Sequence, residues 1–342
     1  MPTNIANLWT PDVWIQTLDE KLSTYPALVS SPIVIRNPEF DAIASGPGVA
    51  ANLPYYKDMT DQADGIQVEN TQPARTGITA GRQFTPILNR ETANDANALA
   101  AQVSGATPDP IGAIVQQIAI RKQKQRQTTL INILRGVFGF SSAPSGGGVL
   151  ASVRFDAFSE TGAAPAAGLL LDVNKFVDAC ALMGENSGEL SGGILMHPNI
   201  RAALLKQDQI SFEHYSDQEG IRLETYKGLR VFVSKSLVRA GGVSGVVYDT
   251  YVFTPGVVGW GEKPQIAQSV DAASLSYFED IQKNVREVYD RSRFLMHVNG
   301  TRWIGAPAGQ SATNAELATL ANWSLDYASA DRIGIVCIRT NG

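Results

Sequence analysis

Three histidines, two cysteines, one glycine-rich loop and one basic run are the residues here whose types could support chemistry. His197 precedes Pro198 at what reads as a helix start, His214 sits beside Tyr215 in a polar loop, and His297 falls inside a strand pattern. No His-x-x-x-His or His-Glu spacing joins any two of them, so they do not make a metal ligand set. His297 reads as a strand histidine with its hydrogen bonds met rather than as a base. Asp217 and Glu219 follow His214, an acid–base grouping in type, but loop carboxylates ordinarily hydrate a surface. Cys180 and Cys337 lie far apart, outside any nucleophile or zinc spacing, and read as two reduced core thiols. Gly241-Gly-Val-Ser-Gly245 lacks both the lysine and the strand-to-helix setting of a phosphate loop, so it reads as a hairpin loop. Arg121-Lys-Gln-Lys-Gln-Arg126 is the one candidate nucleic-acid patch. Without interleaved aromatics it reads first as a solvated or intersubunit face. No catalytic centre, metal or cofactor is predicted, and an α/β enzyme with an unrecognised constellation is the rival reading.

Composition points away from a free-standing catalyst. The chain has 342 residues, a net charge of −5 and 18% charged residues, below the roughly 25% of ordinary soluble domains. Glycine (31) and proline (17) are plentiful. Little charge and many turn formers suit a subunit that covers its surface with neighbours. An acidic balance does not suit a chain built to grip phosphates. Neither a signal peptide nor an apolar run of the ~20 residues a spanning helix needs is visible, so no membrane partner is predicted.

The elements follow from periodicity. Trp9 to Leu18 reads as a brief amphipathic helix, and Pro26, Pro32 and Pro38 then forbid a long one, leaving an extended arm. Between Leu53 and Asn94 apolar residues are sparse. Gly65–Asn70 and Gly81–Asn89 alternate like strands about a turn at Gln72–Gly77, which predicts a long hairpin carrying Ile66, Val68, Phe84, Arg75, Arg82 and Arg90. Such a hairpin lacks a core of its own, so these six residues are predicted to contact a neighbouring subunit. A disordered insertion is the alternative. Asp109 to Phe138 reads as a helix of roughly 40 Å, apolar at both ends and polar at the waist. Then come a helix over Val173–Met183, a buried strand at Ile194–Met196 and a helix from His197. Strands are predicted over Tyr226–Val233, Val246–Phe253 and Gly256–Trp260. Asn299-Gly300 predicts a hairpin between Arg293–Val298 and Thr301–Ile304. Asn314–Trp323 reads as helical, and Arg332–Ile338 as a closing strand.

Taken in order, these parts resemble the major capsid protein of tailed phages, the HK97-like fold. Gly193-Ile-Leu-Met-His-Pro-Asn-Ile-Arg-Ala-Ala-Leu resembles that family's axial strand-then-helix segment. Tyr226-Lys-Gly-Leu-Arg-Val-Phe-Val-Ser resembles its following strand. Met296-His-Val-Asn-Gly-Thr-Arg-Trp is similar to a late peripheral hairpin, and Ala315-Glu-Leu-Ala through Asn322-Trp to the tail of one branch. The resemblance implies an α+β fold with an N-terminal arm (1–52), an extended loop (53–98), a peripheral domain with a spine helix (99–165), an α/β axial domain (166–274) and a return to the peripheral domain (275–342). It further implies pentamers and hexamers closing an icosahedral shell around double-stranded DNA, in a virion assembled in the host cytoplasm. A separate scaffolding protein, unless a scaffolding segment was removed, a portal and a cement protein are the implied partners, with no specific DNA binding. Lys57 is the only loop lysine, and no motif around it supports crosslinking. An encapsulin-like compartment of the same fold is the alternative within this resemblance.

Overall fold

One long helix crosses two sheets, and the side chains of its polar waist explain how it is held. In this computed structural model the described residues are 29, 31–57, 59, 65–67, 69–70, 72, 75, 77–97, 110–139, 147–159, 167–207, 212–216, 222–240, 246–267, 270–280, 282–283 and 285–342. The expected Trp9–Leu18 helix, the cap at Asp109, Val68, Asp217, Glu219 and the 241–245 loop lie outside them.

The chain enters through β1 (Val34–Arg36) and α1 (Pro38–Ser45), whose cap Asn37 accepts from the Glu39 amide. β2 (Ala50–Tyr56), β3 (Ala80–Pro86) and β4 (Leu88–Asn97) precede the long α2 (Pro110–Phe138). Next come β5 (Arg154–Ala157), α3 (Val173–Ala181), β6 (Gly193–Met196), α4 (Pro198–Gln207), β7 (Phe212–Ser216) and β8 (Arg222–Tyr226). β9 (Leu229–Val233), β10 (Val238–Ala240), β11 (Val246–Phe253) and β12 (Val258–Glu262) continue the run. The last part holds β13 (Ile266–Ala267), β14 (Ser274–Asp280), β15 (Val285–Val298), β16 (Thr301–Trp303), α5 (Asn314–Leu317), β17 (Trp323–Leu325) and β18 (Ile335–Thr340). This is the mixed α+β class expected from the sequence.

β15 organises the first sheet. β4 lies antiparallel along one side of it, from Asn97 opposite Val285 to Leu88 opposite Phe294. On the other side β14 and β12 follow one another end to end. The Gln265 amide fills the step between them, donating to Asp290 Oδ1 at 2.8 Å and the Arg291 carbonyl at 2.7 Å. The second sheet runs β5-β18-β11-β6-β9-β8-β7, with β10 beside β11. Every residue of β18 is buried, as is β11 beyond Val246. Strands covered on both faces read as continuous apolar runs rather than alternation, which is why both were visible in the sequence. Leu130, Leu134, Phe138, Phe176, Tyr226, Tyr251, Phe253 and Ile338 share the main core, and Ala44, Ala51, Ile87 and Leu295 form a small second one.

The waist of α2 is not a solvated face. Arg121 donates to Asn94 Oδ1 at 3.1 Å and to Thr92. Lys122 pairs with Asp290 at 2.8 Å, and Arg126 pairs with Glu262 at 2.6 Å while lying over the Phe294 ring. Immediately after Arg126, Gln127 donates to Ser234 and Ser236. The basic run therefore ties the helix to the first sheet, and its next residue ties it to the second. At its C-terminus, where carbonyls lack helical partners and the dipole is negative, Arg154 and Arg339 donate to the Phe138 and Gly139 carbonyls. Gly136 permits the close approach of α5, because a Cβ there would stand 2.0 Å from the Leu317 carbonyl.

Several sequence expectations are corrected. The partner of β3 is β2, not Gly65–Asn70, whose described residues form no strand. Tyr226–Val233 is two strands, because Lys227 and Gly228 both take positive φ and turn β8 back into β9. His214 lies in β7 rather than a loop. Asn299-Gly300 does turn the chain, but only Gly300 has positive φ, and β16 leaves the sheet to pair with β17. The expected Asn314–Trp323 helix is one capped turn, a 3-10 segment over Leu320–Asn322, and the start of β17.

Candidate assembly surface

β2 and β3 form an antiparallel hairpin in which Ala50 faces Pro86 and Tyr56 faces Ala80. Alternation divides β3 cleanly. Gly81, Gln83 and Thr85 point inward and are buried, while Ala80, Arg82 and Phe84 point outward and are exposed. The inward residues are polar because they serve as anchors rather than as core. Gln83 Oε1 accepts from His297 Nε2 at 2.7 Å and from the Gly300 amide at 3.2 Å. The Tyr55 hydroxyl donates to the Asp326 carbonyl at 2.8 Å, and its ring stands edge-on to Tyr327. Burial foremost raises the Tyr55 pKa to about 12, so the phenol keeps its proton. Past this base, every described residue from Lys57 to Ala80 is exposed. Ile66 is 92% exposed, Ile78 65% and Tyr56 80%, an unusual amount of bare apolar side chain for one connection.

The six residues expected at a neighbour fall in different places. Ile66, Arg75, Arg82 and Phe84 are all exposed on the hairpin or its connection. Val68 lies outside the described residues. Arg90, on β4, is half buried and donates within the chain to Ser311 Oγ at 3.1 Å and to the Ala312 carbonyl at 2.7 Å. Tyr55 and Gln83, which fix the hairpin to the body, were missed by the sequence reading. The available signal was the Gly81-Arg-Gln-Phe-Thr85 alternation, which reads equally well with either face inward.

Of the described side chains, His297 departs in part from the expectation that its hydrogen bonds are met: Nε2 is bonded to Gln83, while Nδ1 has no partner. His297 is fully buried, and desolvation lowers its pKa to about 4. His197 accepts from the Asn199 amide and lies against the Tyr248 ring. Burial and the nearby Lys235 lower its pKa. Cys337 is a core thiol and Cys180 a half-buried one, and burial pushes them up to about 12 and about 11, opposite to what a nucleophilic thiolate needs. Among the described residues no cluster of three histidine, cysteine or carboxylate ligands occurs, and no helix is long and apolar enough to cross a membrane.

No family model and no curated protein matches the chain. Solved structures do. The capsid of Ralstonia phage GP4 is similar at a TM-score of 0.57 and 9% identity, covering 97% of this chain and 96% of that one. A chain from Mycobacterium phage Che8 matches at 0.53 and 12% identity over 97% of both. The encapsulin of the holo-SrpI complex from Synechococcus elongatus matches at 0.54 and 12% identity, over 96% of this chain and 91% of that one. At these identities the likeness is one of fold: the chain has the fold of phage capsid and encapsulin shell proteins along nearly its whole length, the fold its sequence motifs resembled.

Proposed function

We propose that this chain is the major capsid protein of a tailed DNA bacteriophage, a structural subunit rather than an enzyme, which builds an icosahedral shell from pentamers and hexamers of itself. The observation that carries the reading is the hairpin. Its base is bonded into the body through Gln83 and Tyr55, yet Ile66 and Ile78 beyond that base are exposed, and so is Phe84 on the outward face of β3 within it. A neighbouring copy supplies the missing surface, with Ile66, Val68 and Phe84 as apolar contacts and Arg75 and Arg82 meeting carboxylates there. Arg90 stiffens the adjacent strand at the edge of that contact. In this reading residues 1–52 are the arm, 53–98 the extended loop, 99–165 and 275–342 the peripheral domain around α2, and 166–274 the axial domain. The shell encloses double-stranded DNA without specific binding, and the net charge of −5 suits a wall that does not hold duplex. A scaffolding protein, a portal and a cement protein complete the particle, which is assembled in the host cytoplasm.

The second reading is an encapsulin-like compartment, which the Synechococcus elongatus likeness favours as much as the phage likenesses favour a virion. Content separates the two: packaged DNA or protein cargo. Electron microscopy and sedimentation of the purified chain test the shared premise. Capsomers or closed shells are expected, since obligate interfaces of this type bury roughly 2,000–5,000 Å². A stable monomer at micromolar concentration across salt conditions overturns both.

A further inference from the structure

Where α2 crosses β4 and β15, the positive charges are unevenly partnered. Lys122 is paired with Asp290 at 2.8 Å, Arg126 with Glu262 at 2.6 Å and Arg291 with Glu91 at 2.9 Å. Arg90 has no such partner. Its guanidinium donates only to neutral acceptors: the Asn89 and Ala312 carbonyls, Ser311 Oγ and Asn314 Oδ1. No carboxylate among the described residues reaches it within ion-pair distance. The charge is half buried and close to Arg126, and burial together with that neighbour lowers the Arg90 pKa. Glu262 already sits with Arg126, so Arg90 is the one of the two guanidinium groups that lacks an anion.

The structure leaves room for one. A cavity of about 130 Å³ is lined by Arg90, Arg126, Thr129, Ser292 and Asn314. Arg126 is only 3% exposed, and its Nη1 has no hydrogen-bond partner. A buried guanidinium donor without an acceptor gains from any acceptor that can reach it. Glu91 and Asp290 also border the cavity. Both are already neutralised, by Arg291 and by Lys122, so the excess charge there is positive.

We propose that this cavity is a binding site for a small oxyanion, held between the guanidinium groups of Arg90 and Arg126 with Thr129 and Asn314 as neutral partners. Bound there, the anion links β4, α2 and the start of α5. The chemistry is that of a phosphate or a carboxylate, and the source is either free anion or a carboxylate from a second copy of the chain. The site is built within a single chain, so it stands whether or not that chain forms shells.

The test is thermal melting of the full chain while inorganic phosphate replaces chloride at constant ionic strength. It is run on unassembled protein and on particles where they form. A saturable rise of several degrees is expected for the unassembled wild type and for Arg286→Gln, whose exposed ion pair with Glu279 borders no part of the cavity. Arg90→Gln is expected to bind phosphate about tenfold more weakly, as for loss of one charge-assisted hydrogen bond. A rise in unassembled protein that vanishes in particles assigns the site to a neighbour's carboxylate, and a rise in both assigns it to free anion. Equilibrium dialysis of phosphate against the wild type needs no variant and is expected to show one saturable ion per chain. Absence of saturable binding by the unassembled wild type overturns the proposal, and so does undiminished binding by a folded Arg90→Gln.

Discussion

His297 Nε2 donates to the side-chain oxygen of Gln83 across 2.7 Å, and this bond joins the hairpin to β15, the longest strand among the described residues, from inside the core. Because an amide oxygen can only accept, the bond fixes the histidine as the neutral Nε2–H tautomer. Burial takes its pKa down from 6.5 to about 4. The unfolded chain therefore takes up a proton below about pH 6.5, while the folded chain does so only near pH 4. The stabilising effect is complete above the upper value and is lost as pH falls towards the lower one. About 3 kcal/mol is involved if the whole shift is realised. Urea unfolding of unassembled His297→Gln at about pH 7 and about pH 5 should show a smaller loss than the wild type. An unchanged pH dependence would remove His297 as its cause.

Asp249 and Arg339 face each other at 3.5 Å, each only 1% exposed. Arg135 lies on the same carboxylate at 3.7 Å. Removing one member of a buried pair leaves the other charged and dry, so Asp249→Asn should cost about 3–5 kcal/mol. The pair Arg286–Glu279 is exposed on both sides, and Glu279→Gln should leave the unfolding midpoint unchanged within error. Denaturant midpoints of the two variants check this. Equal effects would mean that the core cluster is already relaxed by water.

What the sequence made legible follows from what each segment is covered by. β11, β18 and the C-terminal half of α2 are enclosed by this chain, so their apolar runs stand out. The waist of α2 misled because Arg121, Lys122 and Arg126 bind carboxylate, amide and hydroxyl partners contributed by β4, β12 and β15, distant in sequence. Of the two expected hairpin strands, Gly81–Asn89 falls on β3 and the start of β4, while its partner was misplaced for a related reason. Ala50–Tyr56 contains Pro54 and little alternation, while Gly65–Asn70 alternates well but pairs with nothing described. Asn299-Gly300 announced a turn correctly, but pairing after a turn depends on its backbone hand, which residue types fix only in part.

Gly136 offers a test of how tightly the end of the chain holds α2. A methyl group there would meet the Leu317 carbonyl at 2.0 Å and the Trp323 indole nitrogen at 2.5 Å. Trp323 also donates to that carbonyl at 2.8 Å, so the obstacle is a bonded unit rather than a mobile side chain. Alanine raises helix propensity by up to about 1 kcal/mol, yet the clash should outweigh it. Gly136→Ala is expected to be destabilised by about 1–3 kcal/mol, the usual range for overpacking. Thermal melting with tryptophan fluorescence reads both the loss and the displaced indole, and a stabilised variant would show that α5 yields freely.

The hairpin connection carries the sharpest prediction. Replacing residues 58–78 by a short Gly-Ser linker keeps the β2–β3 pairing, the Gln83–His297 bond and the Tyr55–Asp326 bond, all of which lie nearer the base. Both hydrophobic cores are built from residues outside the replaced segment. Circular dichroism and the melting midpoint should therefore stay close to wild type. Light scattering should show no particles, because the exposed Ile66, Arg75 and Ile78 would be gone. Arg82→Glu with the connection intact should weaken assembly in the same direction, and added salt should partly relieve the defect, since the like charges it places opposite one another are exposed and screened. Particles at wild-type yield from the linker variant would mean that the hairpin is dispensable, and the self-assembly reading would lose its main structural support.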